Sequence, residues 1–384
     1  MRHTSEIILD KNALDFNIDF LEKEMGGHVL ISYVVKGNAY GHGIGTYAPM
    51  AAATGRVRHF SVFSADEARR LLKYLPHPVP IMIMGYADND ELEWAIRSGV
   101  EFFVSDTGRL KKAIDLSEKL KTKARIHLEL ETGMNRTGIP EKALSKEVFP
   151  ALKNHEEAFT LKGICTHFAG AENIANYIRI ENQKKLFRKL LQQIKKQDLA
   201  PEYVHTCCSA AAIRFEDMRF NMVRIGILQY GLWPNQETKI EFLRKNNLPS
   251  YDLKRVLTWK TEIMAVKEVS MGDFIGYGVS YQAAHDMKIA IIPAGYSNGY
   301  SRVLSNSGGV IIHGVRAGIV GTVNMNVLMV DLTGVPPCKP GDSVTLIGEE
   351  GEAEISVSSF GELSNQLNYE LLTRLPMDIP RRVL

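Results

Sequence analysis

Through the first 230 residues of this 384-residue chain, apolar positions gather in short unbroken runs rather than alternating with polar ones. The runs are VLISYVV (29–35), FSVFS (60–64), VPIMIMG (79–85), EFFVS (101–105), RIHLELE (125–131), LKGICTHF (161–168), YVHTCCS (203–209) and MVRIGILQYG (222–231). Consecutive apolar residues suit parallel strands covered on both faces. Between them lie stretches such as SADEARRLLKYL (64–75) and NDELEWAIRSG (89–99), whose polar openings and i, i+3, i+4 apolar spacing predict helices. About eight strand–helix units follow one another, the number that closes a (β/α)8 barrel. A doubly wound open sheet is the alternative, but no GxGxxG follows the first strand to support it.

Near residue 235 the pattern changes. WPNQETKIEFLRKNNLPSYD (233–252) is polar and irregular and reads as a linker. Beyond it, LTWKTEIMAVKEV (257–269), MKIAIIPAGY (287–296), GGVIIHGVRAGIVGTV (308–323), NVLMVDLT (326–333) and DSVTLIG (342–348) are strand candidates separated by Gly and Pro, the pattern of a β domain. VSSFGELSNQLNYELLTRL (357–375) reads as helical. The expected architecture is an N-terminal (β/α)8 TIM-type barrel over 11–235 and a mainly β domain over 245–384. A strand within 1–10, SEIILD, is able to join that second domain.

Composition narrows the function. Hydrophobic residues at 45% and charged residues at 23% are ordinary for a soluble globular protein, and a net charge of +2 gives no reason to expect nucleic acid or an acidic membrane as partner. The opening MRHTSEIILDKNAL lacks the apolar core of a signal peptide, and no run approaches the ~18 apolar residues of a membrane span. Cys165, Cys207, Cys208 and Cys338 form no CxxC pair, so neither a metal nor a disulfide framework is indicated, and a reduced cytoplasmic location is expected.

Catalytic sites of barrels form where the strands end. The residues found there are Lys36 (in VVKGNAYGHG), Arg136 (in ETGMNRTG), His167, Ser209 and Arg224. One lysine, two arginines, a histidine and a hydroxyl suit a phosphorylated, anionic cofactor better than a metal, which would call for carboxylate and histidine clusters. A lysine beside such a ligand points to a Schiff base with an aldehyde, and pyridoxal 5'-phosphate fits. Each residue also has a plain structural role open to it. Lys36 could solubilise a strand end, His167 sit satisfied in the core, Ser209 cap a helix, Arg224 join a buried ion pair, and Cys207 and Cys208 pack.

VVKGNAYGHG resembles the cofactor-lysine motif of the alanine racemase family. LELETGMNRTGI, THFAGAEN, CCSAAAIRF, VRIGILQYGLWP, GYGVSYQA, IIPAGYSNGY and VGTVNMNVLMVDLT resemble that family's other blocks, in order, along nearly the whole chain. The resemblance implies a barrel plus β domain and a head-to-tail homodimer in which the partner's β domain completes each site. It implies a small amino-acid substrate, with D-alanine as a peptidoglycan precursor. It also implies that Lys36 holds pyridoxal phosphate and acts as one acid–base group. Tyr277, rather than its neighbour Tyr281, would be the opposing base. His167 and Arg224 would form a hydrogen-bonded chain supporting that tyrosine, with Arg224 facing the pyridine nitrogen and keeping it neutral. Tyr40, Ser209 and the backbone of Gly226 and Ile227 would hold the phosphate. Arg136 would contact the cofactor's phenolic oxygen and the substrate carboxylate, while Met325 and Tyr296 would line the substrate side.

Three positions depart from the family pattern. Glu129 stands where many members carry a carbamylated lysine, and it offers Arg136 a negative charge of its own. PMDIPR places Met377 and Asp378 where a tyrosine and an arginine are common, and Asn326 replaces a usual aspartate. The last two changes bear on substrate selection, with methionine the more adaptable wall. Two other activities compete. A decarboxylase of the same fold type would place a carboxylate at the pyridine nitrogen, where Arg224 stands. A non-catalytic cofactor carrier would need neither the β domain nor Tyr277.

Overall fold

After β1 (Ser5–Leu9), the eight apolar runs become parallel strands: β2 (Leu30–Val34), β3 (Phe60–Val62), β4 (Ile81–Ile83), β5 (Glu101–Val104), β6 (Ala124–Glu129), β7 (Phe159–Cys165), β8 (Tyr203–His205) and β9 (Met222–Ile225). This is the computed structural model of the chain, and it describes residues 4–364 and 368–384. The chain divides into two units. One comprises Leu14–Lys36 and Ala48–Lys254; the other comprises Gly37–Tyr47 and Arg255–Leu384 with the N-terminal strand. In the first unit the strands pair in the order β9-β2-β3-β4-β5-β6-β7-β8. The Arg224 N–H donates to the Cys207 carbonyl at 2.9 Å, tying the two ends of that order together. The expected TIM-type barrel is the observed fold of this unit.

Helix starts between the strands are set locally. Ser64 and Asp106 each accept a backbone N–H three residues on, and Asp88 and Glu91 form a reciprocal capping box. The interior of the barrel departs from the usual layers of branched apolar residues. Ser32, Ser61, Glu101, His127, His205 and Arg224 are all buried there on the strands, with His59 buried just before β3. They satisfy one another with hydrogen bonds, the condition for tolerating polar groups out of water. Gly163 on β7 makes room for them, since a Cβ at that position would lie 2.1 Å from His127 Nδ1.

The polar stretch read as a linker contains a helix, Gln236–Lys245. Asn235 caps it by accepting from the Thr238 N–H, and Thr238 and Phe242 are its buried residues. Phe242 packs against Phe20, Trp233 and Tyr251. Two buried positions one turn apart, in an otherwise charged segment, were too sparse to register as an apolar face.

The second unit is mainly β. β10 (Leu257–Glu262), β11 (Ala265–Val269), β12 (Met287–Ile292), β13 (Gly309–Ile312), β14 (Val315–Gly318), β15 (Leu328–Asp331), β16 (Ser343–Glu350), β17 (Ala353–Ile355) and β18 (Arg381–Val383) form two sheets. The larger has the order β14-β13-β16-β10-β1-β18, with β17 on β16; the smaller has the order β11-β12-β15. β1 is antiparallel to β10 and parallel to β18. The run at 308–323 is a hairpin, turned at His313 and Gly314, whose φ values of 50° and 76° suit a tight two-residue turn. Helices Val357–Ser364 and Asn368–Thr373 occupy most of the span read as helical, and 365–367 lie outside the described residues. Among the described residues no helix is long and apolar enough to cross a membrane.

Gly163→Ala is expected to overpack the barrel interior against the His127 ring and destabilise the protein by about 1–3 kcal/mol. Equilibrium urea unfolding checks this, and an unchanged midpoint would contradict the close approach.

Candidate active site

Lys36 stands two residues past β2, whose last residue Val34 accepts hydrogen bonds from the Gln229 side chain and the Tyr230 hydroxyl at 3.0 Å each. The strand end is therefore held rigidly from behind. Lys36 keeps solvent-exposed surface, yet protein atoms surround its amine. That burial is the main reason its pKa is lowered, followed by the charge of Arg136, with Arg224 adding to it and Glu67 opposing. A lysine whose neutral form is favoured is a better nucleophile and a better base than an ordinary surface lysine.

Immediately beyond Lys36 the backbone enters the left-handed region for four residues, Gly37, Asn38, Ala39 and Tyr40, with φ between 49° and 61°. Glycine adopts this readily, but the other three are disfavoured by roughly 1–2 kcal/mol each. Hydrogen bonds hold the turn. Asn38 accepts from Ile44 N–H through its side chain and from Gly43 N–H through its carbonyl, both at 2.9 Å. The His42 ring lies 3.1 Å from the Ala39 and Tyr40 carbonyls. Arg381 donates to the Gly41 carbonyl at 3.0 Å. Gly41 admits no side chain, because a Cβ there would sit 1.8 Å from the Leu372 carbonyl oxygen. The glycines of VVKGNAYGHG therefore serve this turn. Tyr40 lies within it, its ring edge-on to Tyr369.

Arg224, on β9, is the hub of the barrel unit's polar groups. Its Nη1 donates to His205 Nδ1 at 2.5 Å and to the His205 carbonyl at 3.0 Å. Its Nη2 donates to the Thr166 and Thr206 carbonyls at 2.9 and 3.3 Å and to His167 Nδ1 at 3.4 Å. Burial, then the charges of Arg224, Arg136 and Lys36, push the His167 pKa down to about 3. His167 is thus neutral at ordinary pH and keeps its proton on Nε2, since Nδ1 accepts. Lys36, Arg136, His167 and Arg224 sense one another electrostatically and form one cluster.

Ser209 opens the helix Ser209–Arg214, and its buried hydroxyl accepts from the Gly226 N–H at 2.9 Å. Gly226 leads directly into the short helical turn Ile227–Tyr230. A hydroxyl and backbone N–H groups at the start of two turns are a fitting cradle for a phosphate. Glu129, at the end of β6, is buried. That burial raises its pKa, against the pull of Thr137, Arg224 and Arg136. A lysine amine, a buried guanidinium and a hydroxyl beside backbone N–H groups are the kinds of group that would suit an aldehyde, a ring nitrogen and a phosphate, so the residues present fit pyridoxal phosphate by their chemistry. Among the described residues no cluster of His, Cys, Asp or Glu could hold a metal ion.

The remaining expected site residues belong to the β unit. Tyr277 is 75% exposed, whereas Tyr281 packs against the cluster of Val269, Ile275, Met287 and Met329. Tyr296 and Met325 sit on two turns bonded together. Tyr296 N–H donates to the Asn324 carbonyl, and Ser297 donates to the Met325 carbonyl through both backbone and hydroxyl. Asn326 joins them by donating to the Ser297 hydroxyl at 2.8 Å. Met377 and Asp378 are exposed on the turn before β18.

Sequence reasoning missed His59, Glu101, His127 and His205, which connect to Arg224. The signal was present, because each apolar run around β3, β5, β6 and β8 carries or adjoins an ionisable residue, His59, Glu101, His127 and His205, that a wholly apolar core would not place there.

A family model described as the alanine racemase N-terminal domain matches residues 9–234, and one described as the alanine racemase C-terminal domain matches 256–383. The alanine racemase of Leptospira interrogans is 33% identical over 386 residues, spanning 100% of this chain and 96% of that protein. Among solved structures, alanine racemase from Bacillus anthracis with bound L-Ala-P superposes with a TM-score of 0.89 at 31% identity, over 100% of this chain and 96% of that one. Alanine racemase from Bartonella henselae with covalently bound pyridoxal phosphate has a TM-score of 0.85 at 26% identity and covers 100% of both chains.

The buried histidines make acid stability testable. Burial is the main cause that lowers His42 and His167 to about 3, and it also lowers His127 and His205. As pH falls below the ordinary value of 6.5, the unfolded chain takes up these protons and the folded protein does not, so stability is lost on acidification. Each such histidine contributes up to about 1.4 kcal/mol per pH unit. Urea midpoints should fall steadily from about pH 7 to 5, and a flat profile would contradict the neutral, buried assignments.

Proposed function

The chain belongs to the alanine racemase family, and from that premise we propose that it interconverts L- and D-alanine with two acid–base groups. These are Lys36 of one protomer and Tyr277 of the partner subunit. The enzyme is an isomerase. The observation that carries the proposal is the depressed, cation-flanked Lys36 at the mouth of the barrel. Lys36 Nζ would hold pyridoxal 5'-phosphate covalently. When bound, that cofactor supplies the electron-withdrawing ring that acidifies the substrate Cα–H.

Arg224 has one donor, Nε–H, that takes no part in its five bonds to the barrel. It would face the pyridine nitrogen and, being permanently protonated, leave that nitrogen without a proton of its own. The Ser209 hydroxyl proton and the N–H groups of Gly226 and Ile227 would receive the phosphate, the Gly226 N–H exchanging its bond to Ser209 for one to the anion, and the family resemblance adds the Tyr40 hydroxyl. Arg136 would bind the substrate carboxylate, and Glu129 would orient it without carbon dioxide chemistry. Tyr296 and Met325 would bound the substrate, with Met377 softening the channel wall toward amino acids larger than alanine.

Inversion at Cα needs a proton acceptor on one face and a donor on the other. Lys36 Nζ would move the proton on one face and the Tyr277 hydroxyl on the other. His167 holds its proton on Nε2, which would donate to the hydroxyl oxygen of the partner subunit's Tyr277. The exposure of Tyr277 on its own chain supports a role toward a second copy. Residues 11–235 would thus bind the cofactor. Residues 245–384, with the N-terminal strand, would deliver Tyr277 across a head-to-tail homodimer of a cytoplasmic enzyme that supplies a peptidoglycan precursor.

Tyr277→Phe separates the two faces. In heavy water the variant should exchange the Cα proton of one alanine enantiomer at least about tenfold faster than that of the other. Mass spectrometry of each recovered enantiomer reads this. Equal loss of exchange from both would contradict the two-base scheme.

A further inference from the structure

His59, Glu101, His127 and His205 have no part in the scheme above, yet they form a continuous line through the barrel interior, each no more than 1% exposed. The hydrogen bonds fix where every proton of the central line resides. A guanidinium can only donate, so His205 Nδ1, 2.5 Å from Arg224 Nη1, must accept. The His205 proton is therefore on Nε2, which lies 2.9 Å from His127 Nδ1. That nitrogen must accept in turn, leaving the His127 proton on Nε2, 2.8 Å from Glu101 Oε2. The line ends on a carboxylate, which in its ionised form only accepts. A second proton on either ring would set two donors against each other across one of these gaps.

Electrostatics agree with this count. Burial holds His127 and His205 neutral. For Glu101, burial alone would raise the pKa, but the hydrogen bonds from His127 and His59 outweigh it and hold the carboxyl below the usual range. His59 Nε2 reaches the same oxygen at 3.3 Å, and its Nδ1 is 2.8 Å from the Ser32 hydroxyl. Lys162 lies 3.6 Å from the other Glu101 oxygen and has a second partner in Glu202. Glu101 is therefore not needed merely to neutralise Lys162.

We propose that Glu101 is a positioning residue for Arg224: its carboxylate at one end of the line and the guanidinium at the other demand the same two imidazole tautomers, so that Glu101, through His127 and His205, reinforces the orientation in which the guanidinium faces the cofactor ring. Without the carboxylate, His127 Nε2–H has no acceptor, and the line can reverse. Reversal would place a proton on His205 Nδ1 against an Arg224 donor and turn the guanidinium away. The role assigned to Arg224 rests on the racemase reading; the arrangement of protons does not.

The test is the tautomers themselves, read by two-bond ¹⁵N–¹H spectra of the full-length, cofactor-loaded protein labelled at histidine nitrogen. His127→Gln and His205→Gln assign the signals. At neutral pH both rings of the unmodified protein should carry their proton on Nε2 alone. Glu101→Leu should give mixed or reversed tautomers, with kcat for L-alanine down about tenfold or more while KM changes less than about threefold. A proton on Nδ1 of either ring in the unmodified protein would overturn the proposal. So would a folded Glu101→Leu protein with the original tautomers and kcat. The tautomers can be read whether or not the protein racemises alanine, so failure of the relay and failure of the racemase reading give different results.

Discussion

A permanently charged guanidinium buried in the middle of a barrel is the constraint on which the rest of the site depends. Removing one partner from such a buried charge typically costs about 3–5 kcal/mol, because the remaining charge is left uncompensated. The chain meets the demand for Arg224 with carbonyls at Thr166, Thr206 and His205 and with ring nitrogens at His167 and His205. The nearest anion along the bonded line is Glu101, two imidazoles away. The interior is consequently polar where a barrel is usually apolar, and Gly163 is a glycine because the His127 ring occupies the space of its side chain. The same constraint gives His167 its tautomer, which decides what it can offer a neighbouring hydroxyl.

Lys36 benefits from the same concentration of positive charge. Arg136 and Arg224 disfavour its ammonium form, and burial does so more. The left-handed turn that follows concentrates unfavourable backbone conformation next to Lys36, a placement common at functional sites. That turn persists because its carbonyls and the Asn38 side chain are all engaged by neighbouring donors. Chemistry and strain thus sit at adjacent residues of one short motif.

Much of this was legible in the sequence. Unbroken apolar runs with intervening amphipathic stretches mark parallel strands and helices, and residues at the ends of those runs are where a barrel places its chemistry. Lys36, His167, Ser209 and Arg224 are found in that way. The polar interior was harder to see, since one histidine or glutamate in a run of four or five apolar residues barely alters its pattern, and its partners lie tens of residues away. Glu101 gains its meaning only from His59 and His127, 42 and 26 residues distant in sequence. The helix Gln236–Lys245 was missed for a related reason, because Thr238 and Phe242 are its buried residues and the rest is charged. Tyr277 and Tyr281 are alike by composition; the family's spacing prefers Tyr277, and in the structure Tyr277 is exposed while Tyr281 packs on an apolar cluster.

The central claim is that the amine of Lys36 is the group that bonds the cofactor. Loading the protein with pyridoxal phosphate, reducing it with borohydride and mapping the peptides by mass spectrometry tests this directly. Reduction should fix the cofactor through a stable secondary amine at Lys36 and at no other lysine. A protein in which the label lies on another lysine, or in which none is retained, would contradict the account.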